Sequence, residues 1–290
     1  MKGKNWLLVL LIVVLIFCFA AYRTIDRMKT DTEAPEIVMD GQFLELSVKD
    51  PRSAMLQGVR ATDETDGDVT ASLVVESISL VDTDGTIRVS YAAFDRSGNV
   101  SKASREIKYT DYESPRFQLE SPLLYSYSSG FDIASTLKAA DVLDGDIQHR
   151  IRVTSLDESS IGNIGTHQVL VQVSNSLGDT SRLELPVEVY EAGIYEASVE
   201  LTEYLVYLDV GASFDPDDYL DSYSLRDEVT DLRNSIPENY TVKTVGSVQT
   251  GTPGVYVVKY YVTYVQRNEM NPDLDESYKG YTKLIVVVEG

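Results

Sequence analysis

The chain has one cysteine, Cys18, two histidines, His149 and His167, and one tryptophan, Trp6, in 290 residues. A single thiol excludes an intrachain disulfide framework, and neither a zinc spacing nor a thiol nucleophile can be assembled from this set. No glycine-rich phosphate loop is present, and no Ser-His-carboxylate constellation has any pattern behind it. Positive charge is scarce: 25 Lys and Arg stand against 46 Asp and Glu, a formal net charge of −21. The first 29 residues hold five basic residues and one acidic residue, so the remainder carries −25. Such a surface repels phosphate backbones, which excludes nucleic acid as a partner. Where carboxylates are this abundant, a pair of them is not a glycosidase signature. These absences predict a protein that is not an enzyme and has no organic cofactor.

What is present begins with Trp6–Tyr22, seventeen residues without a charge, preceded by Lys2 and Lys4. Its length is at the short limit for a spanning helix and beyond most signal-peptide apolar cores. Cys18-Phe19-Ala20 is a weak cleavage site, and Phe17 stands where a lipoprotein signal needs a small residue. The stretch therefore reads as an uncleaved signal anchor: residues 1–5 a cytoplasmic tail, 6–22 a transmembrane helix, 23–33 a juxtamembrane linker. The membrane is thus an expected partner, reached through this helix. The expected localisation is the cell membrane, single-pass, with the bulk of the chain extracellular. Export without cystines points to a bacterial origin.

Apolar content of 43% suits a globular chain, and internal repeats organise it. Ala34-Pro35 returns as Ser114-Pro115, Gly85-Thr86 as Gly165-Thr166 and Gly98 as Gly178, each 80 residues later. The acidic run Ala61–Thr70 returns, 78 residues later, at Ala139–Gln148. Ile87, Val89, Tyr91 and Ala93 alternate with polar residues, as do His167, Val169, Val171 and Val173, which predicts half-buried strands. Turn chemistry at Asp82–Gly85 and Arg96–Asn99 separates them. The expected architecture is all-β: small tandem β-sandwiches behind the single N-terminal transmembrane helix. Their bounds are 34–110, 111–191 and a divergent 194–290, which lacks the Asp-Gly-Asp loop but alternates over Tyr256–Tyr264.

The first repeat carries Ala61, Asp63, Asp66, Gly67, Asp68, Val69 and Thr70, then Gly85, Thr86, Val89, Tyr91, Ala93, Asp95, Gly98 and Asn99. This order resembles the bacterial immunoglobulin-like domain first named from a pesticidal crystal protein, which is related in style to hyalin repeats. The second repeat matches through Asp141, Asp144, Gly145, Asp146, Ile147, Gly165, Thr166 and Gly178, but has Asn175 and Asp179 where the hairpin ends. The resemblance covers about 31–190 well and 194–290 in outline. It implies a β-sandwich exposed on a cell surface, with no catalysis and no single family ligand.

Asp63, Asp66, Asp68, Asp141, Asp144 and Asp146 are the candidate metal ligands, with Asp95 or Asn175 adding one from the hairpin turn. Calcium wants several carboxylate and carbonyl oxygens together. The alternative is that these aspartates close turns on backbone N–H groups while Gly67 and Gly145 take positive φ. Twelve of the nineteen tyrosines follow residue 194; they are either anchors at a protein or glycan contact or ordinary strand residues. The function expected is a membrane-anchored surface protein whose tandem domains serve as stalk and as binding or adhesion module, its third domain meeting a protein or glycan. A structural subunit of an envelope or export assembly, and a cell-wall polysaccharide binder, are the alternatives.

Overall fold

Alternating apolar residues do form the strands, and they recur in one order three times. The computed structural model describes residues 3–29, 31–127, 131–156, 163–270 and 272–290. Helix α1 spans Gly3–Lys29, and its described apolar side chains from Leu8 to Phe19 are exposed. Among the described residues, no helix is long and apolar enough to cross a membrane. The chain divides into two compact units, Met1–Tyr112 and Glu113–Gly290.

In the first unit, after α1, the strands are β1 (Glu36–Met39), β2 (Phe43–Leu46), β3 (Val59–Asp63), β4 (Gly67–Asp68), β5 (Val74–Ile78), β6 (Thr86–Phe94) and β7 (Val100–Tyr109). They make two sheets, β1-β3-β4 and β2-β7-β6-β5. Ile87, Val89, Tyr91 and Ala93 of β6 are buried between them, as their alternation predicts. Buried Tyr91 donates its hydroxyl to the Met55 carbonyl at 2.7 Å and accepts from Arg105 Nε at 2.9 Å. Arg105 also reaches the Met55 and Gln57 carbonyls, so the short turn Arg52–Leu56 is held by core side chains. Gly85 has φ of +83°, and a Cβ there would lie 2.8 Å from the Tyr109 carbonyl; glycine is required on both counts.

The second unit repeats this plan twice. Its first sandwich has β8 (Arg116–Leu119), β9 (Leu124–Ser126), β10 (Leu137–Asp141), β11 (Gly145–Asp146), β12 (Arg152–Ser155), β13 (Gly165–Ser174) and β14 (Thr180–Tyr190). The sheets are β11-β10-β8 and β12-β13-β14-β9. The last sandwich has β15 (Ser198–Leu201), β16 (Leu205–Asp209), β17 (Leu220–Leu225), β18 (Glu228–Asp231), β19 (Tyr240–Val245), β20 (Gly254–Gln266) and β21 (Glu276–Glu289), in sheets β15-β17-β18 and β16-β21-β20-β19. The divergent segment therefore keeps the same strand order as the two clear repeats. Where they use a two-residue strand after Asp-x-x-Asp-Gly, it turns at Arg226, in the left-handed region at φ 57°, into a four-rung hairpin.

One buried cluster runs through both sandwiches of the second unit, from Phe117 and Val187 to Val206 and Ile285. Nine consecutive residues of β21, Gly280–Val288, are buried. A strand covered on both faces loses the in-out alternation and reads as a continuous apolar run. The cover on one face comes from the preceding sandwich: Lys283 Nζ donates to the Pro186 carbonyl at 2.7 Å, and Tyr281 donates to Glu188 at 2.8 Å. Lys259 pairs with the same Glu188 oxygen at 2.8 Å. Burial pushes the Lys283 ammonium down to about 7, partly opposed by the nearby Glu188. Between pH 7 and the unfolded lysine value the unfolded chain holds a proton that the folded chain has lost, so stability rises with pH across that window. Relative to Lys283→Met, the wild-type chain should gain about 1 kcal/mol per pH unit between pH 7 and 9 in urea titrations. Parallel curves for the two proteins would remove this assignment.

Candidate functional site

The acidic loops sit at one end of each of the first two sandwiches, where β3 turns into β4 and β10 into β11. Asp63 closes its loop: Oδ1 accepts from the N–H of Thr65 at 2.9 Å and of Asp66 at 2.8 Å. Gly67 follows at φ 75°, and Gly145 in the second loop at φ 70°, the conformation that Gly adopts without strain. Asp66 in turn accepts from the Arg96 N–H at 2.7 Å, joining the loop to the β6–β7 turn. From that turn Asp95 binds Asn99 twice, through its backbone N–H at 2.8 Å and its side-chain amide at 2.6 Å. The same Asn99 amide donates to the Asp31 carbonyl at 3.2 Å, which holds the segment between α1 and β1 against the turn.

Asp31, Asp63, Asp66 and Asp95 therefore converge, with one carboxylate oxygen from each within 4.8 Å of the others. Asp63 and Asp95 are buried and the other two are half-buried. Burial alone would raise the Asp95 carboxyl, but the Asn99 side chain and the N–H groups of Asn99, Gly98 and Ser97 outweigh it and hold it below the usual range. One oxygen of Asp31, Oδ2, is buried with no hydrogen-bond partner. The cation at hand is Arg96, 3.5 Å from Asp66 Oδ1 but with 84% of its side chain in solvent. Carboxylates gathered at this range repel one another as anions, and their oxygen-only donor set suits a hard divalent ion such as calcium.

The repeat of this loop is built differently. Asp141 keeps the turn, accepting from Leu143 and Asp144 N–H groups at 2.8 and 2.9 Å. Asn175 replaces the Asp95 carboxylate and donates its amide to Asp141 at 3.2 Å. Asp144 binds the Ser176 N–H and hydroxyl and the Arg150 guanidinium, the last at 2.6 Å. Burial would raise the Asp144 carboxyl; Ser176 and Arg150 outweigh it and keep it low. An amide and a guanidinium thus occupy the places where the first loop presents oxygen. Asp68 and Asp146 lie outside both groups, each accepting a backbone N–H two residues on, from Thr70 and Gln148 at 2.9 Å.

Asp31 was absent from the sequence-based set. Its signal is the 80-residue spacing, which pairs it with Asp111 just ahead of the second Pro-containing start. Asp111 is engaged elsewhere, accepting from the Ser47 hydroxyl and the Val48 N–H. The twelve late tyrosines are all buried or half-buried. Several form ring contacts, among them Tyr195–Tyr281–Tyr261 and Tyr223–Tyr240–Tyr264, so their weight falls on packing. His167 is buried with Nε2 2.8 Å from the Asn163 carbonyl, and His149 is exposed.

Fold and loops define a chain of tandem β-sandwiches with immunoglobulin-like strand order. No family model matches it. Over 211 residues, 71% of the chain, it is 29% identical to the pesticidal crystal protein Cry22Aa of Bacillus thuringiensis, and over 140 residues 29% identical to an uncharacterized 81.3 kDa protein of Acholeplasma phage L2. The chain spans 27% and 18% of the length of these relatives. Among solved structures it aligns with the CBM51-2 (in complex with GlcNAc) and INT domains of Clostridium perfringens ZmpB at 14% identity and TM-score 0.22, covering 88% of this chain and 41% of that one. It aligns with Drosophila N-cadherin EC1-4 at 13% identity and TM-score 0.21, covering 90% and 67%.

Because Asp63 holds two loop N–H groups, Asp63→Ala should cost about 1–3 kcal/mol in urea unfolding in the presence of chelator. Asp68→Ala, which removes an exposed bond, should cost clearly less; equal losses would overturn this division of roles.

Proposed function

We propose that this is a non-catalytic, membrane-anchored bacterial surface protein whose tandem sandwiches act as stalk and binding module, with calcium stiffening the first. The observation that carries the calcium reading is the convergence of Asp31, Asp63, Asp66 and Asp95, together with the burial of Asp31 Oδ2 without a hydrogen-bond partner. A cation held there would tie three separate segments: the one leading into β1, the β3–β4 loop and the β6–β7 turn. It would set how the first sandwich follows from the residues behind α1. The anchor is supported by the uncharged run 6–22 and by the exposed apolar side chains of α1. The net charge of −21 keeps such surface domains soluble and mutually repelling.

Ligand linkage gives the test of the metal. Calcium at roughly a hundredfold excess over Kd should stabilise the fold by about 2.7 kcal/mol. The melting midpoint of the full chain should rise with calcium and fall back with chelator. Asp95→Asn, which copies the second loop, should fold and lose the response. An unchanged wild-type midpoint removes calcium from the proposal. For the placement, the chain should sediment with membranes and be trimmed by protease added to intact cells, and cells lacking it should attach less well. A protease-resistant or soluble chain, or unaltered attachment, would overturn the surface role.

A further inference from the structure

The second sandwich carries a basic face that nothing in its calcium-type loop explains. Along the four-stranded sheet, Arg152 of β12 pairs with Gln172 of β13, and Gln172 pairs with Arg182 of β14. The three side chains therefore stand in one row on the outer face, with the two arginines roughly 9–10 Å apart at their backbones. Both arginines are exposed. Among the described residues neither comes within ion-pair distance of a carboxylate, whereas Arg150 beside them is held by Asp144. The row borders an open cavity of about 820 Å³, whose wall also includes His149, Ser174 and Thr180. Two guanidiniums without an ion pair among the described residues are conspicuous in a chain with 46 acidic and 25 basic residues.

The repeat supplies an internal control. At the matching registers the first sandwich has Val74, Ala92 and Lys102. Lys102 of β7 is neutralised there by Glu76, which β5 presents from across β6 at an irregularity in its register, and the regular β12–β13 ladder of the second sandwich has no residue in that place. Relative to the first copy, the second has thus gained one cation, Arg152 for Val74, and an amide, Gln172 for Ala92, while Arg182 keeps the charge of Lys102 without an ion-pair partner among the described residues.

We propose that the Arg152–Gln172–Arg182 row is a binding site for a carboxylate-bearing glycan. A guanidinium fork matches a carboxylate in two parallel hydrogen bonds, and two forks across one amide can hold an acidic sugar from both sides. Gln172, Ser174 and Thr180 offer neutral donors and acceptors to ring hydroxyls. Phosphodiester polymers and polyacidic peptides carry a denser charge, which the surrounding acidic surface repels; a sugar with one carboxylate per residue matches two cations set among neutral groups. Glu184, two residues along β14 on the same face, sharpens that limit on charge. This site is apart from both the acidic cluster and the third sandwich, so its failure leaves the preceding reading untouched.

The test uses the full chain in chelator, which silences any calcium bridging. Its probes are an array of oligosaccharides carrying uronic or sialic acid, the same sugars with the carboxyl reduced, polyglycerol phosphate and polyglutamate. Wild type should bind one or more of the acidic sugars and ignore their reduced forms. Arg152→Gln with Arg182→Gln should weaken binding at least tenfold, and both positions are exposed enough to spare the fold. Gln172→Glu, which sets a carboxylate between the intact arginines, should weaken it as much, while Lys102→Gln should change nothing. No binding to any acidic sugar, equal binding by the variants, or tighter binding of polyglycerol phosphate or polyglutamate would overturn the proposal.

Discussion

Each sandwich depends on one long antiparallel pair of strands, and the rest of the structure is arranged around it. The β6–β7 pair runs from Thr86↔Lys108 to Phe94↔Val100, β13–β14 from Gly165↔Val189 to Ser174↔Thr180, and β20–β21 from Gly254↔Val288 to Gln266↔Glu276. Ladders of this length fix register, because a slip by one residue would turn the alternating buried side chains of strands such as β6 and β13 outward. With register fixed, the turns at their ends come to fixed places. Asp95 and Asn175 are presented at the tips of two such pairs, beside the loops that follow β3 and β10. The acidic group in the first sandwich and the amide-and-guanidinium group in the second are therefore products of one frame with different side chains hung on it.

Charge is managed differently from place to place on that frame. Arg105 is buried in the first sandwich with its nitrogens spent on carbonyls and on Tyr91, so it serves as a structural pin. Glu188 collects Lys259 and Tyr281 from the following sandwich, and Lys283 reaches a carbonyl nearby. A buried ion needs several partners to offset the loss of water, and here those partners belong to two consecutive sandwiches. Geometry of that kind ties the two sandwiches together through side chains as well as through the chain.

The fold was legible in the sequence wherever one strand face meets the core and the other meets water. Ile87 to Ala93 and Val169 to Val173 declare themselves by alternation alone. Landmarks at fixed spacing, such as Gly85 with Gly165, gave the repeat. The joint between the last two sandwiches was not legible, because Glu188, Lys259 and Lys283 read as ordinary surface charges until β14 is laid against β21. The loop aspartates could be named from their pattern, but not sorted. Asp63 and Asp68 look alike in sequence, and only the fold brings the first toward Asp31 and leaves the second on a solvent-side turn. Asp31 itself falls in a segment without strand or helix, where periodicity has nothing to report. The late tyrosines left two readings open for the opposite reason: an amphipathic residue enriched in one domain fits a contact surface and a packed ladder equally well until its burial is known.

In all three sandwiches one short strand lies parallel to the last strand of the long pair: β2 beside β7, β9 beside β14 and β16 beside β21. Tension along the chain pulls such partners past each other, so the bonds between them are loaded together in shear rather than opened one after another from an end. The parallel clamps have four, three and five rungs in order along the chain. The shortest belongs to the sandwich that is also braced through Glu188, where the side-chain joint can share a load that three rungs would otherwise carry alone.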